Sequence, residues 1–283
     1  TVHNKLIASG YDFNTYNLGA FVSYPLSPYL AYGFRYRVRN YKDSIPGRIA
    51  NLPANSDDIN KEEQKGILSG LGANITFDST DSAIKPHRGL RSVLQSELVG
   101  LGGNVNFVSG SSINAYFMPL WRRGYMRYRC DFRFIFPFGQ TNHFDAIPMS
   151  ERFFLGGVSS VRGYKDFIIG PRFEKEQLIK NSNQPNQTVE EKAFHDPTGG
   201  ISSSFLSIDY IQEILPILDA FLFIDAGAVN NELFNPGTYR MSYGVGVNIE
   251  LMGKMPITLG YGIPINPAEK TKRQFFFSLG GQF

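Results

Sequence analysis

Apolar and polar residues alternate with a period of two along most of the chain, in segments bounded by turn residues. From Met126 to Phe136 one face carries Arg127, Arg129, Asp131 and Arg133; the other carries Tyr128, Cys130, Phe132, Phe134 and Phe136. From Leu30 to Arg39, Arg35, Arg37 and Arg39 stand opposite Phe34, Tyr36 and Val38. Near the end, Tyr243, Val245, Val247, Ile249 and Leu251 oppose Ser242, Gly244, Gly246, Asn248 and Glu250. This pattern predicts eleven strands, at 15–25, 29–40, 66–78, 89–99, 104–118, 125–137, 201–213, 218–229, 239–251, 255–264 and 273–283.

One such strand would suit a soluble sandwich, with its charged face in water. Eleven of them, with no helical segment left to cover a sheet, fit an antiparallel transmembrane β-barrel better, its small and polar residues facing the lumen and its apolar residues facing lipid. A bilayer enforces this architecture because unpaired backbone groups are too costly in hydrocarbon. Connections also alternate in length. Those at 25–28, 119–123, 215–217 and 253–254 are short, whereas 41–65 and 138–200 are long, the asymmetry of an outer-membrane barrel. The chain reads as one barrel domain over 1–283, with the segment 41–65 as a solvated surface loop. Because barrels of this type have even strand numbers, an odd count implies that N-terminal strands precede Thr1.

Composition agrees: 29 Gly, 24 Phe and 15 Tyr suit strands and turns. A net charge of +3 is too small to argue for nucleic acid. Cys130 is the single cysteine, and the four histidines lack ligand spacing, so neither a disulfide, a metal site nor a cofactor is expected.

The long segment 138–200 contains the Gly-rich stretch Glu151 to Arg172, with Val161, Arg162, Gly163 and Tyr164 at its centre. Loops of this length are commonly functional. We expect it to fold back into the lumen. By alternation Asp225 shares a face with Phe221, Phe223 and Gly227, and Asp209 faces inward on the preceding strand. Two carboxylates in a partly dry lumen need a cation, and Arg162 offers a planar fork of donors. Gly163 would let the backbone pass close to the wall, and Tyr164 or Phe223 could stack on the guanidinium. The alternative is that Arg162 is a solvated loop residue. Arg35, Arg37, Arg39, Arg127, Arg129 and Arg133 read as lumen lining.

The whole pattern resembles the bacterial outer-membrane assembly-factor (BamA) family and its wider superfamily of organellar relatives and two-partner secretion transporters. Four features carry the resemblance: Phe154 to Gly157 with Val161 to Tyr164 and Ile169 to Pro171; the aromatic-x-Asp-x-Gly strand Phe223 to Gly227; the turn Asp78 to Gly89 with its Pro86; and a last strand ending in Phe283. The resemblance implies that Arg162 pairs with Asp225. It also implies a sixteen-stranded barrel, of which this is the C-terminal part, and upstream periplasmic POTRA domains. In the last strand Phe275, Phe277, Leu279, Gly281 and Phe283 share one face, like a β-signal, and Gly280 and Gly281 would weaken a lateral seam between first and last strands. The function implied is non-enzymatic insertion of unfolded outer-membrane protein clients into outer-membrane lipid, with accessory lipoproteins and periplasmic chaperones as partners and the bacterial outer membrane as location. A two-partner-type secretion pore and a plain structural or diffusion barrel are the rival readings.

Overall fold

The protein is described by a computed structural model covering residues 2–6, 11–46, 61–141, 144–172, 197–233, 235, 237–251, 255–265 and 274–280. The described residues form one antiparallel sheet of twelve strands in sequence order: β1 (Val2–Leu6), β2 (Tyr11–Ser27), β3 (Leu30–Pro46), β4 (Lys61–Asp78), β5 (Gly89–Gly103), β6 (Phe107–Pro119), β7 (Gly124–Pro137), β8 (Ser202–Leu215), β9 (Leu218–Asn230), β10 (Arg240–Leu251), β11 (Met255–Pro264) and β12 (Gln274–Leu279). Neighbours in sequence are neighbours in the sheet, so each strand from β2 to β11 pairs with the one before and the one after. β1 and β12 are the two ends of this order.

The strand count differs from the eleven expected. The added strand, Val2–Leu6, pairs with Tyr11–Thr15 and has no alternating apolar face to announce it. Twelve is even, so the argument from an odd count no longer applies. The segment 41–65 also differs: Tyr41 to Pro46 and Lys61 to Lys65 extend β3 and β4 in continuous register, so much of the expected loop is ladder. Lys61, Glu62 and Glu63 begin β4, while Asp57 and Asp58 lie outside the described residues. Polar residues hid these extensions, because here backbone pairing continues where the apolar alternation stops.

Alternation decides which side of the wall each residue takes. On β9, Leu222 and Ile224 are 54% and 51% exposed, while Phe223 and Asp225 between them are 2% and 0% exposed. On the outside the exposed residues form an apolar coat that includes Leu18, Val22, Leu71, Ile75, Leu94, Ile208, Val245 and Tyr261. Such a coat is stable against lipid and costly against water. Among the described residues no helix is long and apolar enough to cross a membrane, so the strands form the wall. Inside, three apolar clusters pack against the inner face. The first contains Leu68, Phe107, Ile135 and Ile147; the second Phe117, Tyr125, Ile211, Phe221, Phe223 and Phe276; the third Leu155, Val161, Tyr164, Ile169, Phe205 and Val229. The third mixes wall residues with Leu155, Val161, Tyr164 and Ile169 from the connection between β7 and β8, so this described stretch of the connection folds into the lumen.

The two faces should respond oppositely to charge. Ile224→Arg, near mid-strand on the lipid side, is expected to cost about 2–4 kcal/mol in a bilayer. Gln95→Arg, which lines an inner cavity, should cost far less. Denaturant unfolding of both variants in liposomes measures the difference.

Candidate functional site

The connection from β7 to β8 enters the lumen through two 3-10 turns, Phe144–Ala146 and Met149–Glu151. Short antiparallel bridges then shape it: Phe153 with Gly200, Leu155 with Ile169, and Arg172 with Pro197. Arg152 is buried and ties its base together. Its Nε donates to the Ile147 carbonyl at 3.0 Å and its Nη1 to the Thr198 carbonyl at 3.1 Å, over the ring of Phe144. The tip is a tight coil: the Ser160 hydroxyl accepts from Gly156 N–H at 2.8 Å and donates to the Gly156 carbonyl at 3.1 Å. A segment this rigid can hold a side chain at a fixed place.

That side chain is Arg162, 3% exposed. Its Nε donates to Asp225 Oδ2 at 2.8 Å, and its Nη2 lies 2.7 Å from Asp225 Oδ1. Nη2 also reaches Asp209 Oδ1 at 2.6 Å and the Ser207 hydroxyl at 3.0 Å. The Arg162 backbone N–H adds a further bond to Asp225 Oδ2 at 2.9 Å. The ring of Phe223 lies 3.9 Å from the guanidinium carbon. Asp209 is shared, since its other oxygen accepts from Arg127 Nε at 2.9 Å. Two guanidinium groups thus face two carboxylates, leaving no net charge. A buried ion pair is stable only with directed geometry of this kind, because desolvation otherwise exceeds the attraction; among the described residues Arg162 Nη1 is the one guanidinium nitrogen left buried without a hydrogen-bond partner. The register explains the meeting: Ser207 pairs with Asp225 and Asp209 with Phe223 across β8 and β9, all on the inner face.

Neighbouring residues make room. Gly163 has φ +91°, and a Cβ there would lie 2.9 Å from the backbone of Gly262 on β11; a Cβ on Gly262 would meet Gly163 Cα at 2.5 Å. Loop and wall therefore touch backbone to backbone. A Cβ on Gly227 would strike Val161 and Leu155 at 2.8 and 2.9 Å. The Tyr164 hydroxyl donates to the Met241 carbonyl of β10 at 3.3 Å. From Arg162 to Tyr164 the tip touches four consecutive strands, β8 to β11.

The base of the same segment reaches the opposite wall. Glu151 accepts from Arg37 Nη1 and Nη2 at 3.1 and 2.9 Å and also pairs with Arg39. Arg35 and Arg37 share Glu97 on β5. Asp43 accepts from the Ser150 N–H at 2.9 Å. The remaining arginines of the inner face divide in two. Arg129 pairs with Asp131 at 2.9 Å and lies over Phe205. Arg133 lines a cavity of about 620 Å³ together with Arg35, Arg37, Asn74, Gln95 and Ser111. Phe275, Phe277 and Leu279 point outward, Gly280 ends β12 with φ +103°, and Gly281 and Phe283 lie outside the described residues. Phe276, on the other face of β12, packs against Phe223 with ring centroids 5.7 Å apart.

Among the described residues no group of His, Cys, Asp and Glu could hold a metal. Sequence reasoning missed Ser207, Glu151, Gly262 and Phe276. Parity could have found Ser207, two residues from Asp209, and Phe276, opposite in face to Phe275 and Phe277, but nothing in the chain marks Gly262 or Glu151 as contacts of this loop.

With the infolded loop and its carboxylates in place, comparison with known families is decisive: the Omp85 superfamily domain matches residues 3–283. The chain belongs to the Omp85 superfamily. The outer membrane protein assembly factor BamA of Nitratidesulfovibrio vulgaris is 25% identical over 96% of this chain and 32% of its own length. The SAM50-like protein CG7639 of Drosophila melanogaster is 23% identical over 77% of this chain and 46% of its own. This Omp85 domain therefore spans a third to a half of these relatives. Among solved structures, Haemophilus ducreyi BamA lacking POTRA domains 1–3 superposes with a TM-score of 0.78 at 15% identity, covering 98% of this chain and 56% of that one. CdiB from Acinetobacter baumannii superposes at 0.56 with 13% identity, over 95% and 42%.

Removing the guanidinium of this Omp85 domain strands the buried carboxylate of Asp225 and leaves Asp209 to Arg127 alone. Arg162→Ala is expected to destabilise the barrel by about 3–5 kcal/mol. Arg162→Lys should recover only part of this, because a single ammonium cannot reproduce the fork. Heat-modifiable gel migration and denaturant unfolding measure both.

Proposed function

We propose that this Omp85 domain is the barrel portion of an outer-membrane protein assembly insertase, acting by templating rather than by making or breaking covalent bonds. The observation that carries the reading is the reach of the docked loop. Its tip grips β8 to β11, ending at Gly262 one strand from β12, where the described strand order ends. A wall braced this close to an end strand can hold its shape while that strand gains or loses a partner. Exposed strand edges pair readily with other strands, and an incoming client strand would use that property.

In this reading Val161, Arg162, Gly163 and Tyr164, with Asp225, Asp209, Phe223 and Gly227, are the loop-to-barrel tether. Phe275, Phe277 and Leu279 on β12 form the lipid-facing side of the seam, and Gly280, Gly281 and Phe283 belong to its end. The partners are unfolded outer-membrane proteins and outer-membrane lipid, with accessory lipoproteins and periplasmic chaperones acting upstream. The location is the bacterial outer membrane, and the relationship to BamA supports a full barrel of sixteen strands behind periplasmic POTRA domains. A second reading, a protein-secretion pore, draws on the arginines Arg35, Arg37 and Arg133 around the inner cavity, which could accompany a chain passing through the bore.

The two readings separate in liposomes containing the full-length protein and an unfolded outer-membrane client. Insertase activity yields client folded in the bilayer, and Arg162→Ala and Asp225→Ala should each lower that yield several-fold. Client recovered protease-protected in the vesicle interior would move the protein to the secretion reading. Client folding at the wild-type rate in both variants would remove the loop from the mechanism.

A further inference from the structure

The connection between β4 and β5, residues 79–88, is the longest fully described connection at its rim; those between β2 and β3, β6 and β7, and β8 and β9 take two to four residues. It is internally rigid. Asp81 Oδ1 accepts from the N–H groups of His87 and Arg88 at 2.9 and 3.2 Å, Asp78 accepts from Thr80 N–H at 3.0 Å and from Arg91 Nε at 2.8 Å, and Ser79 N–H donates to the Leu90 carbonyl at 2.9 Å. Gly89, at φ +110°, packs so closely that a Cβ would lie 2.4 Å from the Ser79 carbonyl oxygen.

This rigid turn points across the bore. Lys85 Nζ lies 2.9 Å from Glu213 on β8, 3.0 Å from Asp219 on β9 and 3.4 Å from Glu250 on β10. His87 Nε2 lies 2.9 Å from the same Glu213 oxygen, and its ring meets Tyr125 of β7 edge-on with centroids 4.8 Å apart. Tyr125 in turn belongs to the inner aromatic cluster with Phe117, Ile211, Phe221 and Phe223. Glu213 and Asp219 sit directly opposite each other in the ladder, where two like charges repel. Three carboxylates of three adjacent strands thus converge on one ammonium carried by a turn whose nearer strand, β5, lies three strands from β8 in the sheet order. Burial would lower the lysine's proton affinity, but hydrogen bonds to Glu213 and Asp219 outweigh it and hold Lys85 above the ordinary lysine range, so the ammonium is charged at neutral pH.

We propose that residues 79–88 form a stopper, folded into the bore at the short-turn rim and latched by Lys85 to Glu213, Asp219 and Glu250, that closes the lumen along β7–β10 to small solutes. The infolded β7–β8 loop fills the same side of the bore from the other rim, and the aromatic cluster around Phe221 lies between them. The stopper is independent of the assembly reading: it concerns what leaks through the barrel, whatever the barrel handles at its wall.

Single-channel recording of the full-length protein in planar bilayers tests it. Lys85→Glu should raise mean conductance several-fold, because a fourth anion is then driven out of the carboxylate cluster. Adding Asp219→Lys to that variant restores one cation to the cluster and should return conductance to the wild-type level. In a Cys130→Ser background, Lys85→Cys with Glu213→Cys should be joined by a short bismaleimide, and the joined protein should show fewer open events than the same protein before joining. Unchanged conductance in a folded Lys85→Glu, or failure of the cysteine pair to join, overturns the proposal. If Lys85→Glu does not fold, the cysteine pair decides the question alone.

Discussion

A guanidinium withdrawn from water must find fixed anions or leave, and the interior of this barrel is arranged around that requirement. Arg162 cannot reach water, so its place is set by Asp225 and Asp209, and theirs by the register of β8 against β9. The backbone follows. Gly163 can press against Gly262 because neither carries a side chain, and Val161 can enter the space that Gly227 leaves. The pair is weak evidence for net stability, since apolar residues of equal volume could pack as well. What it supplies is position. A loop held only by apolar contacts could slide along the wall; one held by a fork of directed bonds cannot.

The loop is also a strut. Its base meets Arg37 and Arg39 of β3 through Glu151, and its tip meets β8 to β11. Force on one side of the wall is carried to the other through a segment knit by Arg152 and Ser160. On a sheet whose strand order ends at β1 and β12, such cross-bracing keeps the curvature fixed without fixing the ends. The turn carrying Lys85 does the same at the other rim, through charge rather than packing. Both devices use one cation against carboxylates of adjacent strands, which would repel one another if left alone.

Much of the wall was legible because lipid outside and polar groups inside impose a two-residue period on every strand that spans the membrane. The inward placement of Asp209, Phe223, Asp225 and the arginines follows from counting alternate residues. The same rule failed at Val2–Leu6 and at the ends of β3 and β4, where strands continue without an apolar face to reveal them.

The sequence by itself determined the face on which each strand residue stands, because side-chain direction in a strand depends only on parity. It also determined the need of Asp225 and Asp209 for a cation, because charge and burial follow from residue type and face. Only the tertiary structure decided which residues meet across the bore. Glu151 and Arg37 are 114 positions apart, and Lys85 and Asp219 are 134 apart. No local pattern encodes such contacts, because they depend on how far the sheet curls and how deeply each connection folds inward, and those are properties of the tertiary packing rather than of any segment.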